Sequence, residues 1–206
     1  MYYRQQTVYH IMFNEAYDKL VKISVVGDTC VGKTALIRRL INDEFSDIYN
    51  ATICMDFNSP TIEDGTGKLI KIQAWDTSGQ EIFRSMTTSY LRTGDVTLVC
   101  FAYNDRDSFV SIDMWIKQLH DSNVKTKMIL VGTKGDLPGT VKDKEALECA
   151  AHYNMEYIRT SSLSGLGRLE LLNNIYVCAT EPTEKTTSVT NDIDNLSGSR
   201  RCCAIL

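Results

Sequence analysis

The chain has no basic excess, no cysteine spacing of the metal-binding type and no apolar run of membrane length. Its 206 residues carry 22 Lys and Arg against 26 Asp and Glu, so no basic excess suggests a nucleic-acid surface. The 7 cysteines form no CxxC pair and no Cys-His cluster of zinc spacing, which fits a reducing compartment. No apolar run approaches the length of a membrane span, and the first residues lack the basic-then-apolar plan of a signal peptide. The length suits one well-buried domain with a tail.

The most informative stretch lies near the start, from Leu20 to Thr34. A β-rich apolar run ends at Gly27, five further residues reach Gly32-Lys33-Thr34, and apolar residues then recur at helical spacing. A strand, a loop of type G-x-x-x-x-G-K-[ST] and a helix form the phosphate-binding pattern. Inward-pointing amides and the helix N-terminus make such a loop suitable for a polyphosphate.

This pattern assigns a role to each polar group of the loop. We expect Lys33 to reach the β- and γ-phosphates and the Thr34 hydroxyl to ligate Mg²⁺. The other residues expected around the nucleotide are those of the loop itself: Gly27, Asp28, Thr29, Cys30, Val31 and Gly32.

Hydrophobic periodicity predicts the elements that follow. Strands are expected near residues 53–59, 69–75, 96–102, 128–131 and 157–160, with helices near 83–92, 107–119, 143–153 and 169–179. Asp107 is expected to cap the second of these helices. The alternation predicts an α/β fold of the P-loop NTPase type, with a doubly wound, six-stranded, mostly parallel sheet flanked by helices. A ligand is then expected beyond the carboxyl ends of the strands.

Three segments are expected along the chain. Residues 1–19 form an N-terminal extension that could be a disordered leader, a short docked helix or an extension from an upstream start. Residues 20–180 form the nucleotide-binding domain. From residue 181 onward the apolar period disappears and Thr, Ser, Asn and Asp dominate, so residues 181–206 are expected to be a flexible tail.

Polar residues after the third strand are candidates for the metal and for hydrolysis. Asp76 is placed to hold Mg²⁺ opposite Thr34, commonly through a water. Gly79 lets the backbone approach the γ-phosphate, and Gln80 is expected to orient the attacking water. Thr52, in the loop after the first helix, is expected to join the metal when a γ-phosphate is present.

The loop after the fifth strand reads Thr133-Lys134-Gly135-Asp136. An aspartate there could accept hydrogen bonds from N1–H and the exocyclic amine of guanine, which adenine does not offer in that arrangement. Together with the motifs above, this ordered set resembles the small GTPases of the Ras superfamily, and within it the Rab group. The resemblance covers about residues 19–179.

The resemblance implies a guanine-nucleotide switch that binds GTP or GDP with Mg²⁺ and hydrolyses GTP slowly without an activating partner. It implies that Phe45 stacks edgewise on guanine and that a further base-facing loop contains Ser161, Ser162 and Leu163. It also implies exchange factors, activating proteins, and effectors that bind the switch loops. The aromatic residues matching the effector-binding trio of Rabs are Phe57, Trp75 and Tyr90.

Several positions depart from the family pattern. Thr133 replaces the usual asparagine, a variant also found in the Rho branch, and Leu163 stands where lysine is common. Thr29 fills a crowded position beside the γ-phosphate where many relatives have glycine or serine, so hydrolysis is expected to be slowed. Cys54 and Ile82 replace a usual glycine and arginine in segments that meet partners, so effectors are not transferable.

The C-terminus resembles two prenylation signals at once. Cys203-Ala204-Ile205-Leu206 is a C-a-a-X box, and Cys202-Cys203 resembles the double-cysteine endings of Rabs. We expect both cysteines to be lipidated, because the tail is not basic and one lipid binds membranes reversibly. Prenyl-carrier or escort proteins, a monomeric state, and residence on the cytoplasmic face of an intracellular membrane with a cytosolic pool are then expected.

Two alternatives remain open from the sequence. The first is a GTP-loaded binding scaffold with negligible hydrolysis, suggested by Thr29. The second is a phosphotransferase that uses the same phosphate loop on a small acceptor. The guanine-type loop and the absence of an arginine-rich lid argue against the second.

Overall fold

The structure is a computed structural model that describes residues 17–46, 55–63, 69–76 and 91–180, with the backbone alone for 55–63. The strands are β1 (Lys19–Gly27), β2 (Met55–Glu63), β3 (Leu69–Asp76), β4 (Val96–Ala102), β5 (Lys127–Thr133) and β6 (Glu156–Arg159). The helices with described bounds are α1 (Lys33–Asn42), α2 (Arg106–Val110), α3 (Ile112–Asp121), α4 (Asp143–His152) and α5 (Arg168–Thr180). The helix predicted near 83–92 lies outside the described residues except for its end, and residues 91–93 are helical.

The strands form a six-stranded sheet in the order β2-β3-β1-β4-β5-β6. Every neighbouring pair is parallel except β2 with β3, which is antiparallel. The predicted fold class, a mostly parallel, doubly wound sheet flanked by helices, is therefore confirmed. Parallel strands place their carboxyl ends on one edge, and β1 lies centrally there, with Val25 paired to Asp76 and Gly27 paired to Cys100.

Burial follows the position of each strand in the sheet. All residues of the central strand β4 are buried, whereas β3 alternates, with Ile70, Ile72 and Ala74 on its buried face as its sequence pattern predicts. Helices α1 and α5 cover one face of the sheet, and α2, α3 and α4 cover the other. On the second face the Phe101 and Phe109 rings meet edge to face at 4.9 Å. Truncating a ring so fully buried costs roughly 3–5 kcal/mol.

The helix predicted to start at Asp107 differs in its cap and its continuity. The capping residue is Asp105, whose carboxylate accepts from the amides of Asp107 and Ser108 at 3.1 and 3.3 Å. Asp105 has the extended backbone that a cap requires, whereas Asp107 already lies within the first turn, so the predicted cap was wrong. The helix is divided at Ser111 into α2 and α3. Within the described part of the chain, no helix is long and apolar enough to cross a membrane.

Candidate functional site

The loop between β1 and α1 turns sharply over the carboxyl edge of the sheet. Gly27 has a φ of 143°, and a Cβ there would lie 2.2 Å from the Cys100 carbonyl oxygen on β4. A side chain at this position would therefore push the loop away from the sheet. Gly32 and Cys30 also have positive φ, 99° and 64°, so the loop backbone curls before α1 begins.

The N-terminus of α1 lies at the end of this loop. Gly32 is its capping residue and has the left-handed conformation. In the described structure this terminus has no side-chain cap and no acidic residue in its first turn. Because first-turn amides have no intrahelical acceptor and carry partial positive charge, an anion would complement them.

The Lys33 side chain folds back beneath the loop. Its ammonium group donates to the Gly27 carbonyl at 2.8 Å and to the Asp28 carbonyl at 2.6 Å, and the residue is 5% exposed. Burial lowers the pKa of Lys33 below its ordinary value, and the nearby Asp76 and Asp28 carboxylates partly offset that effect. A bound phosphate would supply further negative charge and favour the charged ammonium.

Thr34 and Asp76 bring two oxygen-bearing side chains together beside Lys33. The Thr34 hydroxyl donates to Asp76 Oδ2 at 2.5 Å, and Asp76 is 2% exposed at the carboxyl end of β3. Hard cations such as Mg²⁺ prefer oxygen ligands and commonly keep waters beside one or two carboxylates and substrate phosphates. The chemistry of this pair therefore fits a Mg²⁺ ion bound with a nucleotide.

Side chains from distant elements brace the loop. The Trp115 indole on α3 donates to Asp28 Oδ1 at 2.7 Å, and the Lys134 ammonium donates to the Cys30 carbonyl at 2.7 Å. The Thr133 hydroxyl donates to the Val31 carbonyl and also lies 2.9 Å from the Phe101 carbonyl. The loop that follows β5 is therefore physically joined to the phosphate loop.

The expected base-reading residues also meet. Ser161 Oγ donates to Asp136 Oδ1 at 2.5 Å, and Gly135 N donates to the Thr160 carbonyl at 2.8 Å. Asp136 is exposed. The positive φ of Lys134, 55°, turns the backbone two residues before Asp136. The segments after β5 and β6 therefore form one corner of the site.

An arginine of α1 holds the second loop of this corner. Arg39 donates to the Ser162 carbonyl at 2.5 Å and to the Leu163 carbonyl at 2.9 Å. It also pairs with Asp43 at 3.1 Å, and Arg168 Nε donates to the Arg39 carbonyl at 2.7 Å. Helix α1, which starts at the phosphate loop, thereby fixes the backbone of residues 162–163.

The remaining predicted site residues lie at the rim or outside the described residues. Thr29 is exposed in the phosphate loop, and Phe45 is 37% exposed just beyond α1. Six predicted positions fall outside the described part of the chain: Thr52, Gly79, Gln80, Tyr90, Cys202 and Cys203.

Three residues that the sequence did not single out for the site contact it. Trp115 fitted the helical period of the core, and Arg39 and Arg159 are ordinary helix and strand residues by pattern. Their partners are Asp28, the 162–163 carbonyls and the Gly135 carbonyl, all distant in sequence. No local signal identifies such contacts, because packing creates them.

A parallel sheet with a braced phosphate loop at its carboxyl edge defines a P-loop nucleotide-binding protein. The family model for the Ras family matches residues 22–177, and the chain belongs to that family. It is 34% identical over 190 residues to "Ras-related protein Rab-13" of Canis lupus familiaris, covering 91% of this chain and 86% of the relative. The protein of the same name from Mesocricetus auratus is 35% identical over 164 residues, covering 78% and 80%.

These similarities confirm a divergent, Rab-like small GTPase. Such proteins bind GTP, GDP and Mg²⁺, have GTPase activity in general, and interact with activating proteins, exchange factors and effectors.

Proposed function

We propose that this chain is a Rab-type switch that hydrolyses GTP to GDP and phosphate, slowly alone and faster with an activating partner. One observation carries the proposal: Lys33 and the bonded Thr34–Asp76 pair lie together where β1 and β3 end. Preorganised positive charge and oxygen ligands at that place suit a Mg²⁺–nucleotide complex. Phosphoryl transfer depends mainly on such positioning and charge stabilisation.

In this proposal each phosphate-side residue has a defined task. Lys33 binds the β- and γ-phosphates, and Mg²⁺, when bound, neutralises charge on the phosphate oxygens. Thr34, Asp76 and Thr52 hold the metal. Gln80 orients the attacking water. Because Thr52 and Gly79 contact the γ-phosphate in one nucleotide state, their loops differ between the GTP and GDP forms.

The guanine base is proposed to bind at the corner formed by the segments that follow β5 and β6. Asp136 accepts from guanine N1–H and the exocyclic amine, and its bond to Ser161 holds its carboxylate in place. Phe45 packs on the base from the end of α1. The residues proposed to complete the base site are Thr133, Lys134, Ser162 and Leu163.

The finer cellular role is also proposed. Residues 20–180 form the GTPase domain, 1–19 an extension and 181–206 a tail that carries lipids on Cys202 and Cys203. Lipidation, assisted by prenyl-carrier or escort proteins, anchors a monomer to the cytoplasmic face of an intracellular membrane and leaves a cytosolic pool. There the switch regulates vesicle traffic.

Single-turnover phosphate release tests the hydrolytic step. Protein loaded with GTP in chelator is mixed with Mg²⁺, and free phosphate is followed alongside the retained nucleotide. We expect slow release of one phosphate per site by the wild type and slower release by Gln80→Leu. Quantitative retention of GTP by the wild type, with no phosphate released, would contradict a hydrolytic switch.

A GTP-loaded scaffold is the second candidate, and the exposed Thr29 in the phosphate loop favours it. Its β-branched side chain occupies space that an activating arginine or the reacting water would need. Thr29→Gly separates the two functions. Faster phosphate release by this variant, with the wild type inert, would support the scaffold, whereas equal release by both would remove Thr29 from the explanation.

A further inference from the structure

Arg159, the last residue of β6, lies behind the loop that contains Asp136. Its guanidinium donates twice to one backbone acceptor: Nη2 lies 2.5 Å and Nε 3.2 Å from the Gly135 carbonyl oxygen. Hydrogen bonds from a charged donor are stronger than those between neutral groups. The backbone immediately before Asp136 is therefore held by Arg159.

The guanidinium is itself fixed on two further sides. Its Cζ atom lies 4.0 Å from the centre of the Tyr103 ring, beyond the end of β4. Arg159 Nη1 pairs with Asp143 Oδ2 at 3.2 Å, and Asp143 also accepts from the Tyr157 hydroxyl at 2.9 Å. An exposed ion pair alone contributes little, but stacking on a ring restricts the guanidinium to one orientation.

The space between Arg159 and the loop is filled completely. A Cβ added at Gly135 would lie 2.8 Å from Arg159 Cγ, 2.9 Å from its Nε and 2.9 Å from the Thr160 carbonyl oxygen. Any side chain at Gly135 would therefore displace Arg159, the β6 end or the loop itself. Glycine at 135 and arginine at 159 fit each other.

A shift of the Gly135 backbone would also move the residues on either side, Lys134 and Asp136. Lys134 is bonded to the phosphate loop through the Cys30 carbonyl, and Asp136 is bonded to Ser161. Between these two bonds the backbone of Gly135 is held by the Thr160 carbonyl on its N–H and by Arg159 on its own carbonyl. Arg159 therefore holds the backbone that carries Asp136, while Ser161 bonds the carboxylate itself.

We infer that Arg159 is a positioning residue for guanine recognition, which acts by fixing the Gly135 carbonyl and through it the Asp136 carboxylate. The inference rests on the proposed function, since Asp136 must read the base. It predicts two effects of losing Arg159: faster GDP release and weaker preference for guanine over hypoxanthine, which lacks the exocyclic amine.

The test compares Arg159→Ala with the wild type, using fluorescent GDP release and competition between GDP and inosine diphosphate. Loss of a charge-assisted bond corresponds to roughly 10-fold faster release. The GDP-to-inosine diphosphate preference should fall in parallel. Arg159→Lys, which keeps the charge but not the planar fork, should give intermediate values and remains informative if the alanine variant folds poorly.

Arg106→Ala is the matched control for general stability. Arg106 is similarly exposed, pairs with Glu145 on α4 at 2.9 Å and lies over the Phe109 ring. We expect this control to lower the melting temperature without changing the base preference. If Arg159→Ala behaves in the same way, with unchanged release and preference, Arg159 is structural and the inference is wrong.

A double-variant comparison tests the fit between the two residues. Gly135→Ala alone should speed GDP release, and part of that effect should disappear in the Arg159→Ala background because the contact with Arg159 has gone. Fully additive effects would overturn the inferred coupling. A wild-type protein that binds GDP no better than adenosine diphosphate would instead overturn the proposed function itself.

Discussion

Replacement of Thr133 by valine tests how the phosphate loop is held against the sheet. The Thr133 hydroxyl is buried and lies within hydrogen-bond distance of the Val31 and Phe101 carbonyl oxygens. Because a hydroxyl has one hydrogen, it donates to one of these oxygens at a time. Valine keeps the shape and places a methyl group against both oxygens. Losing the bond and leaving a buried acceptor costs about 1–3 kcal/mol. For a domain of this size that corresponds to a fall in Tm of roughly 2–12 °C.

Part of the free energy lost in Thr133→Val should appear as faster nucleotide release, because Val31 belongs to the phosphate loop. Full transfer of 1–3 kcal/mol would accelerate release about 5- to 150-fold, and we expect roughly 10-fold. Fluorescent GDP release and thermal melting with saturating GDP and Mg²⁺ measure the two quantities. Thr133→Ser keeps the hydroxyl and should release GDP at nearly the wild-type rate.

Thr97→Val is the matched control for the valine substitution. Thr97 is also fully buried on a neighbouring strand, and its hydroxyl lies 2.6 Å from that of Thr126 at the opposite end of the sheet. It should lower the Tm by a similar amount and leave GDP release unchanged. If Thr133→Val matches this control in both assays, Thr133 does not position the phosphate loop.

Three further predictions follow from other contacts. Trp115→Phe removes the bond to Asp28 and should speed GDP release a few-fold, with no added effect in an Asp28→Ala background, whereas additive effects would exclude this contact as the cause. Hydrogen bonds from the Lys142 amide and then from Arg106 lower the pKa of Glu145 below its ordinary value. The extra stability of the wild type over Glu145→Gln in urea unfolding should therefore be present at neutral pH and disappear as pH falls through the folded-state pKa; a pH-independent difference would be inconsistent. Cys202→Ser and Cys203→Ser should each leave one lipid by intact mass and make membrane binding reversible, and a single lipid on the stably bound wild type would contradict dual modification.

Local sequence patterns predicted much of the fold because they reflect which faces of each strand and helix are buried. The alternation of Ile70, Ile72 and Ala74 follows from one buried face of β3, and the unbroken apolar run of β4 follows from burial on both faces. The phosphate loop was recognisable because its glycines and Lys33 must stand at fixed spacing between a strand and a helix.

The errors and omissions arise where several residues could fill one role or where packing decides. Asp105 and Asp107 are both acidic and two residues apart, so composition does not distinguish the cap from a first-turn residue. The bond of Trp115 to Asp28 and that of Arg159 to Gly135 depend on how α3 and β6 pack. The sequence pattern of a helix or strand contains no record of its tertiary partner.

The proposed switch requires a site that binds guanine nucleotide and turns it over. The most direct measurement is to purify the full chain in Mg²⁺ buffer, denature it, and identify the released nucleotide by chromatography. We expect GDP, because bound GTP would have been hydrolysed during preparation. Release of GTP would be consistent with guanine specificity but contradict turnover, and release of an adenine nucleotide would contradict guanine-nucleotide binding itself.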